Sequence, residues 1–260
     1  MLTLTSIFNK LTNMKLSTLS SKLKLFNVGS NAKTKKGDDE ENLTAIMYLA
    51  SSDISGYDVC EQASPQCKAM CLYTAGRGVF TNVQQARINR TKLFFEKNKE
   101  FLELLFKEIT IFEAYCKEHE VQGNVRLNGT SDLDFINLVI KDDKDIFQLF
   151  PELNFYDYTK DYSRETSYDN YYLLYSRTEE TSLETVRSLV DADKNVAVVF
   201  DEVPEEWHSI KVINGDINDL RLNDESGVIV GLKAKAKAKR SKREIVPNER
   251  SFVISTIDIT

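Results

Sequence analysis

The sequence predicts an α/β fold: a partial or distorted (β/α) barrel with mainly parallel strands, with an open doubly wound α/β sheet as the alternative. Three observations carry this. About seven short apolar segments recur along the chain. The early ones are separated by helical or long connections, as parallel strands require. One segment, 195–200 (NVAVVF), is almost continuously apolar, the pattern of a strand buried on both faces. A complete barrel takes about 250 residues. Outside two basic segments, this chain has about 212.

Taken in order, the first predicted strand is 44–50 (TAIMYLA). An irregular region, 51–80, follows and holds three of the four cysteines. Thr81 or Asn82 is the expected cap of a long helical region ending before Gly123, with a break near Lys97-Asn98-Lys99. Its stripe is Phe101, Leu105, Ile109, Phe112 and Cys116. A strand is expected at 124–128, then a short helix through Leu133, Ile136, Leu138 and Val139. A helical turn at 146–150 stops at Pro151. Strands are expected at 153–158 and 171–176. Thr181-Ser182-Leu183-Glu184 reads as a capping box opening a helix to about Val190. The remaining strands are 195–200, 210–213 and 227–232.

The formal charge of −6 conceals a partition. Residues 1–37 hold seven Lys and no acid, and the run from Lys233 to Arg243 (KAKAKAKRSKR) holds seven bases and no acid. The rest of the chain is left at about −20. Residues 1–40 are therefore expected to form a basic tail and linker, with a single α/β domain over 41–257. Leu4, Ile7, Phe8 and Leu11 form a helical stripe in that tail, read as a docking helix or a transit peptide. No stretch approaches the ~20 apolar residues of a membrane span. Few cysteines and no export signal point to a reducing compartment, where disulfides are disfavoured. An acidic body argues against a broad nucleic-acid surface, leaving the basic run as the contact for nucleic acid.

Ligands in such folds bind beyond the C-terminal ends of parallel strands. Those ends here supply Asn128, Gly129, Thr130, Ser131 and Asp132, then Asp157 and Lys160, then Arg177, and later Lys233. Gly129 suits a tight turn, and Thr130 and Ser131 suit the cap of a following helix, whose N-terminus would offer N–H groups to an anion. Arg126 precedes this turn. Asp132 or Asp157 is the expected acid/base and Lys160 the charge stabiliser. Arg126, Asn128, Gly129, Thr130, Ser131, Arg177 and Lys233 are expected to bind an anionic, nucleotide-like substrate. A catalytic Asp132 is expected to be replaceable with little loss of stability.

Cys60, Cys67 and Cys71 form a C-x₆-C-x₃-C spacing. Soft thiolates suit zinc or an iron–sulfur cluster, with the fourth position open or filled from elsewhere. Reactive or structural thiols are the competing reading. The loop follows the first strand, where S-adenosylmethionine-dependent radical barrels carry their cluster cysteines; this is an analogy of fold alone. Cys116 sits on an apolar stripe and reads as core. The two histidines, His119 and His208, read as surface or packing residues. No zinc H-E-x-x-H, phosphate loop, dinucleotide fingerprint or nucleophile elbow is present.

At these residues the sequence resembles the bacteriophage gene product eighty-eight family. The matching segments are NAKTKK (31–36), CEQASPQCKAMCLYTAGRG (60–78), ARINRT (86–91), RLNGTSD (126–132), FYDYTK (155–160), VAVVF (196–200), GDINDLR (215–221) and GLKAK (231–235). They span about residues 29–255. The resemblance implies a viral gene expressed in a bacterial host, hence the host cytoplasm, and supplies no mechanism. Two readings follow from the residues. The first is a metal- or iron–sulfur-dependent enzyme acting on a small anionic substrate. The second is a non-catalytic factor binding nucleic acid or a host protein, its cysteine loop held by structural zinc.

Overall fold

The structure, a computed structural model, describes residues 14–29, 41–136, 138–235 and 250–256. The stripe from Leu4 to Leu11 and most of the run from Lys233 to Arg243 lie outside these residues. The described chain forms one ten-stranded sheet in the order β1-β2-β3-β4-β5-β6-β9-β8-β7, with β10 also against β6. The strands are β1 (Phe26–Val28), β2 (Asn42–Met47), β3 (Gln122–Arg126), β4 (Asn154–Thr159) and β5 (Tyr171–Ser176). They continue with β6 (Val196–Phe200), β7 (Glu206–Trp207), β8 (Ile210–Asn214), β9 (Ile229–Lys233) and β10 (Val253–Ile254). Only β1/β2 and β7/β8 pair antiparallel; the other neighbours are parallel. The sheet is mainly parallel and does not close, in keeping with the expected partial α/β fold. It also leaves barrel order, because β9 inserts between β6 and β8.

Strand alternation assigns the two faces. One carries Ala45, Val125, Phe155 and Leu173, and it packs on α1 (Leu16–Lys22) and α4 (Asn98–Glu118). The same face continues through Val196, Val198 and Ile229 onto α6 (Leu183–Asp191). The predicted α4 stripe is buried throughout, from Phe101 to Cys116. The opposite face holds a small apolar group, Leu174, Ala197 and Val230, and a polar one. There Arg126 pairs with Asp219 at 3.0 Å and lies 4.3 Å from the Tyr158 ring centre. These helices thus share one face, as on a barrel wall that fails to close.

Several expectations are corrected. Helix α3 (Thr81–Glu96) starts after an N-cap at Phe80, so neither Thr81 nor Asn82 caps it; the Asn82 carboxamide accepts the Val83 N–H within the first turn. Lys97 breaks α3 from α4 as expected, and the Asn98 side chain donates to the Phe94 carbonyl across the break. Helix α6 is capped by Ser182, one residue later than expected, with its hydroxyl accepting the Thr185 N–H. The helix expected through Leu133 and Val139 is absent at 131–136 and 138–140. The Asn128 side chain takes both the Leu133 N–H and its carbonyl, which competes with helical bonding. The turn α5 (Ile146–Leu149) is present, with Asp145 and Gln148 completing a capping box.

The strongest departure is at the N-terminal side. Residues 14–28, assigned to the tail, fold into the body. Leu19, Leu25 and Phe26 are buried, and β1 pairs with β2. The buried Glu108 carboxylate accepts N–H groups from Lys24, Leu25 and Phe26 at 2.6, 2.9 and 3.3 Å. Burial nevertheless pushes this carboxyl above its usual range, against those three donors.

Candidate functional site

The C-terminal ends of β2 to β5 bring two loops together. The first is the turn after β3. Asp157 of β4, 1% exposed, accepts the Asn128 N–H at 2.7 Å and its side-chain amide at 3.2 Å. The Tyr171 hydroxyl adds a third bond at 3.3 Å. Burial raises the Asp157 carboxyl to about 6, the Asn128 and arginine contacts working in the opposite direction. The Asn128 oxygen accepts from the Ser131 hydroxyl, and the Thr130 hydroxyl donates to the Leu49 carbonyl. At Gly129 a Cβ would lie 2.6 Å from the Met47 carbonyl oxygen, so the backbone approach itself requires glycine. Because no helix follows, Thr130 and Ser131 cap nothing, and the expected helix-end anion site is not formed.

The second loop carries the thiols. Ser52 turns the chain with φ 52°, and its carbonyl accepts the Val59 N–H at 3.2 Å. The Cys60 thiol donates to the Thr130 carbonyl at 3.8 Å, which joins the two loops. Cys67 lies in α2 (Pro65–Met70), whose N-cap Ser64 accepts the Cys67 N–H. Cys71 is the next residue after α2. Glu179 fixes this short helix, accepting the Ser64 hydroxyl at 2.6 Å and the Gln66 N–H at 2.8 Å. All three thiols are partly exposed, whereas Cys116 is buried as expected.

The three sulfurs act on one another electrostatically, and the Lys160 charge acts on Cys67. Burial pushes the Cys60 thiol up to about 12, reinforced by Cys71, Asp132 and Cys67. Burial also raises Cys67, while the Lys160 charge opposes it. Burial pushes the Lys160 ammonium down, but Cys67, Asp132, Tyr162 and Cys60 outweigh it and hold the group above its usual range. Lys160 also donates to the Ser176 hydroxyl at 3.0 Å. Asp132 stands at the junction. One of its oxygens accepts the Lys160 backbone N–H at 2.7 Å, and the other pairs with Arg164 at 3.0 Å.

The structure thus gathers Cys60, Cys67, Cys71, Asp132 and Lys160. Asn128, Gly129, Thr130 and Ser131 sit beside them but are committed to the turn. Asp157 lies beneath that turn. Arg126 is engaged with Asp219 on the sheet face. Arg177 donates to the Ser251 carbonyl at 2.8 Å. Lys233 is remote, its ammonium on Glu202 at 2.6 Å and its N–H on Asp216. Ser52 and Ser176 stand at the strand ends where the sequence places them, whereas nothing in it marks Arg164 or Glu179, whose partners are distant in sequence. Among the described residues, no group of three or more His, Cys, Asp or Glu is arranged to hold a metal ion. The donor chemistry suits a soft metal, but the thiols would have to draw closer.

The family model for Gene product 88 matches residues 19–247. The chain belongs to the Gene product 88 family. This is a phage-associated family, and the match contains both rim loops and part of the folded N-terminal segment. No curated protein and no solved structure matches this Gene product 88 family member. Among the described residues, no helix is long and apolar enough to cross a membrane.

Proposed function

We propose that this Gene product 88 family member is a metal- or iron–sulfur-dependent enzyme of the host cytoplasm, acting on a small anionic substrate at the C-terminal rim. The observation that carries this reading is the placing of three partly exposed thiols, Cys60 on the Thr130 carbonyl and Cys67 and Cys71 at α2, near Lys160 at the ends of parallel strands. Two points favour metal over free reactive thiols. Raised thiols are protonated at neutral pH, and so are poor nucleophiles until a cation displaces the protons. The Ser52 hydroxyl, buried beside Cys60, has no hydrogen-bond partner among the described residues, as expected where a ligand completes a site.

In this reading Cys60, Cys67 and Cys71 hold an iron–sulfur cluster or zinc and leave one position for substrate. S-adenosylmethionine remains a co-substrate by analogy of fold alone. Lys160 stabilises negative charge on the substrate. Asp132, with both oxygens taken, positions Lys160 and the turn. Asp157 has the proton affinity for acid/base work, but it lies beneath the turn with its oxygens accepting from Asn128 and Tyr171. Anaerobic purification with metal and sulfide analysis tests the proposal. Stoichiometric iron with sulfide, or zinc, lost on Cys67→Ser, is the expected result. Folded protein free of metal in both forms overturns it.

The competing reading is a non-catalytic factor using the basic run from Lys233 to Arg243 on nucleic acid or a host protein. The start of that run is already engaged: Lys233 pairs with Glu202 and Lys235 with Asp216. Nucleic-acid binding that weakens steeply with salt and disappears on deleting the run would favour it over the enzyme.

A further inference from the structure

A cleft of about 590 Å³ opens beside the thiol loop, between the start of α6 and the β7–β8 hairpin. Small-molecule sites commonly measure ~300–1,000 Å³. Its lining includes Arg177, Glu179, Leu183, Trp207, His208 and Arg250. Trp207 is anchored edge-on to Phe200, with ring centres 6.1 Å apart. The Arg177 guanidinium lies 5.8 Å from the Trp207 ring centre, and its bond to the Ser251 carbonyl fixes its direction. Arg177 is 3% exposed, so its charge is carried in a largely dry wall. Arg250 is exposed at the mouth, as is Glu180. Both Glu179 oxygens are turned to Ser64 and Gln66, which holds that carboxylate toward α2.

The hairpin wall is held at a cost. His208 and Ser209 form a two-residue turn with φ of 50° and 63°, positions that favour Asn and Gly. The Arg187 side chain of α6 donates to the His208 carbonyl at 2.7 Å and pins the turn across the cleft. The wall is shared with the thiol loop: Gln66, one residue before Cys67, bonds the Arg250 carbonyl at 3.3 Å and the Phe252 N–H at 2.9 Å.

We infer that this cleft binds a small anion carrying a flat apolar ring, the chemistry of a nucleoside phosphate, with Arg177 and Arg250 on the anionic part and Trp207 beside the ring. The assignment locates the substrate of the proposed enzyme. It rests on the rim being a substrate face and not on the thiols carrying metal.

Trp207 is the only tryptophan of the chain, so its emission reports on this cleft. The full-length protein is titrated with a purine and a pyrimidine nucleoside monophosphate, and separately with the nucleosides and inorganic phosphate. Calorimetry on the same samples detects binding that leaves the emission unchanged. Saturable binding of at least one nucleotide is expected, about tenfold or more tighter than either of its fragments. Arg250→Ala, an exposed change with an unaltered melting temperature, should weaken it about tenfold through one lost charge-assisted contact.

The assignment is overturned by no saturable binding, by equal affinity for phosphate alone, or by unchanged affinity in both Arg250→Ala and Arg177→Lys. Loss of nucleotide binding in Lys160→Gln alone would move the ligand onto the thiols, and so also overturn it. Metal analysis of the same preparation separates the two claims. Nucleotide binding without metal retains the cleft and removes the metal proposal, and metal without nucleotide binding does the reverse.

Discussion

The turn at 128–133 and the thiol loop at 51–71 stand side by side at the same end of the sheet, yet they are built in opposite ways. In the turn, the side-chain oxygens of Asn128, Thr130, Ser131 and Asp132 are all matched within the chain. The thiol loop is pinned chiefly by Glu179 and by the Gln66 side chain, and its three sulfurs stay partly exposed. Polar residues at strand ends therefore divide into those that build the rim and those that remain available at it. Asp132 belongs to the first kind, and Lys160 joins the two.

Breaking the turn should have the largest effect. Asp132 and Arg164 form an ion pair with side chains only 10% and 6% exposed. Asp132→Ala would strand the guanidinium, at an expected cost of about 3–5 kcal/mol. Chemical denaturation checks this, and a loss below about 1 kcal/mol would show that the turn does not depend on the clamp. The expectation that Asp132 is replaceable without loss of stability is incompatible with this pairing.

Asp157 offers the next largest effect, through pH. Its carboxyl is raised from 3.8 to about 6, chiefly by burial. The folded protein therefore holds this proton more tightly than the unfolded chain. The resulting stabilisation is full below about pH 4 and is lost as pH rises through about 6, to a total near 3 kcal/mol. Subtracting the stability profile of Asp157→Asn from that of the natural chain should isolate this slope. Parallel profiles between pH 4 and 7 would mean that the carboxylate is charged throughout and that the Asn128 donors outweigh burial.

The contrast between the loops also explains what could be read from sequence. Strands such as 171–176 and the α4 stripe were legible because local periodicity and burial agree there. The helix expected near Leu133 failed because Asn128, five residues earlier, captures the backbone that would begin it. The cysteine spacing marked the thiol loop. Nothing local marked Glu179 or Arg164, since their roles depend on partners 115 and 32 residues away. Residues 14–28 depart from the expected tail for a similar reason: Glu108 and the β1 pairing set their fold, and charge does not reveal either.

A smaller change tests the turn at one bond. Ser131→Ala removes the donor to the Asn128 oxygen but leaves that oxygen the Leu133 N–H. A loss of about 1 kcal/mol is expected by denaturation. A loss above about 3 kcal/mol would mean that the network is cooperative and that no single bond in it is dispensable.

The smallest effect on stability is expected in the thiol loop, and it is the one that decides the comparison. Cys67 is partly exposed, and the neighbouring Lys160 ammonium has the Ser176 hydroxyl as its acceptor. Serine in its place is close in shape and leaves the Lys160–Ser176 bond intact, so metal-free Cys67→Ser should unfold within about 1 kcal/mol of the natural chain. With metal bound the two should separate, because only the natural chain gains stability from the ion and loses it to a chelator. Melting both forms with and without chelator gives four temperatures. A chelator-sensitive natural chain beside an insensitive variant means that the loop is left loose for a ligand to complete. Equal melting of all four means that the loop is finished without one, and the distinction from the turn disappears.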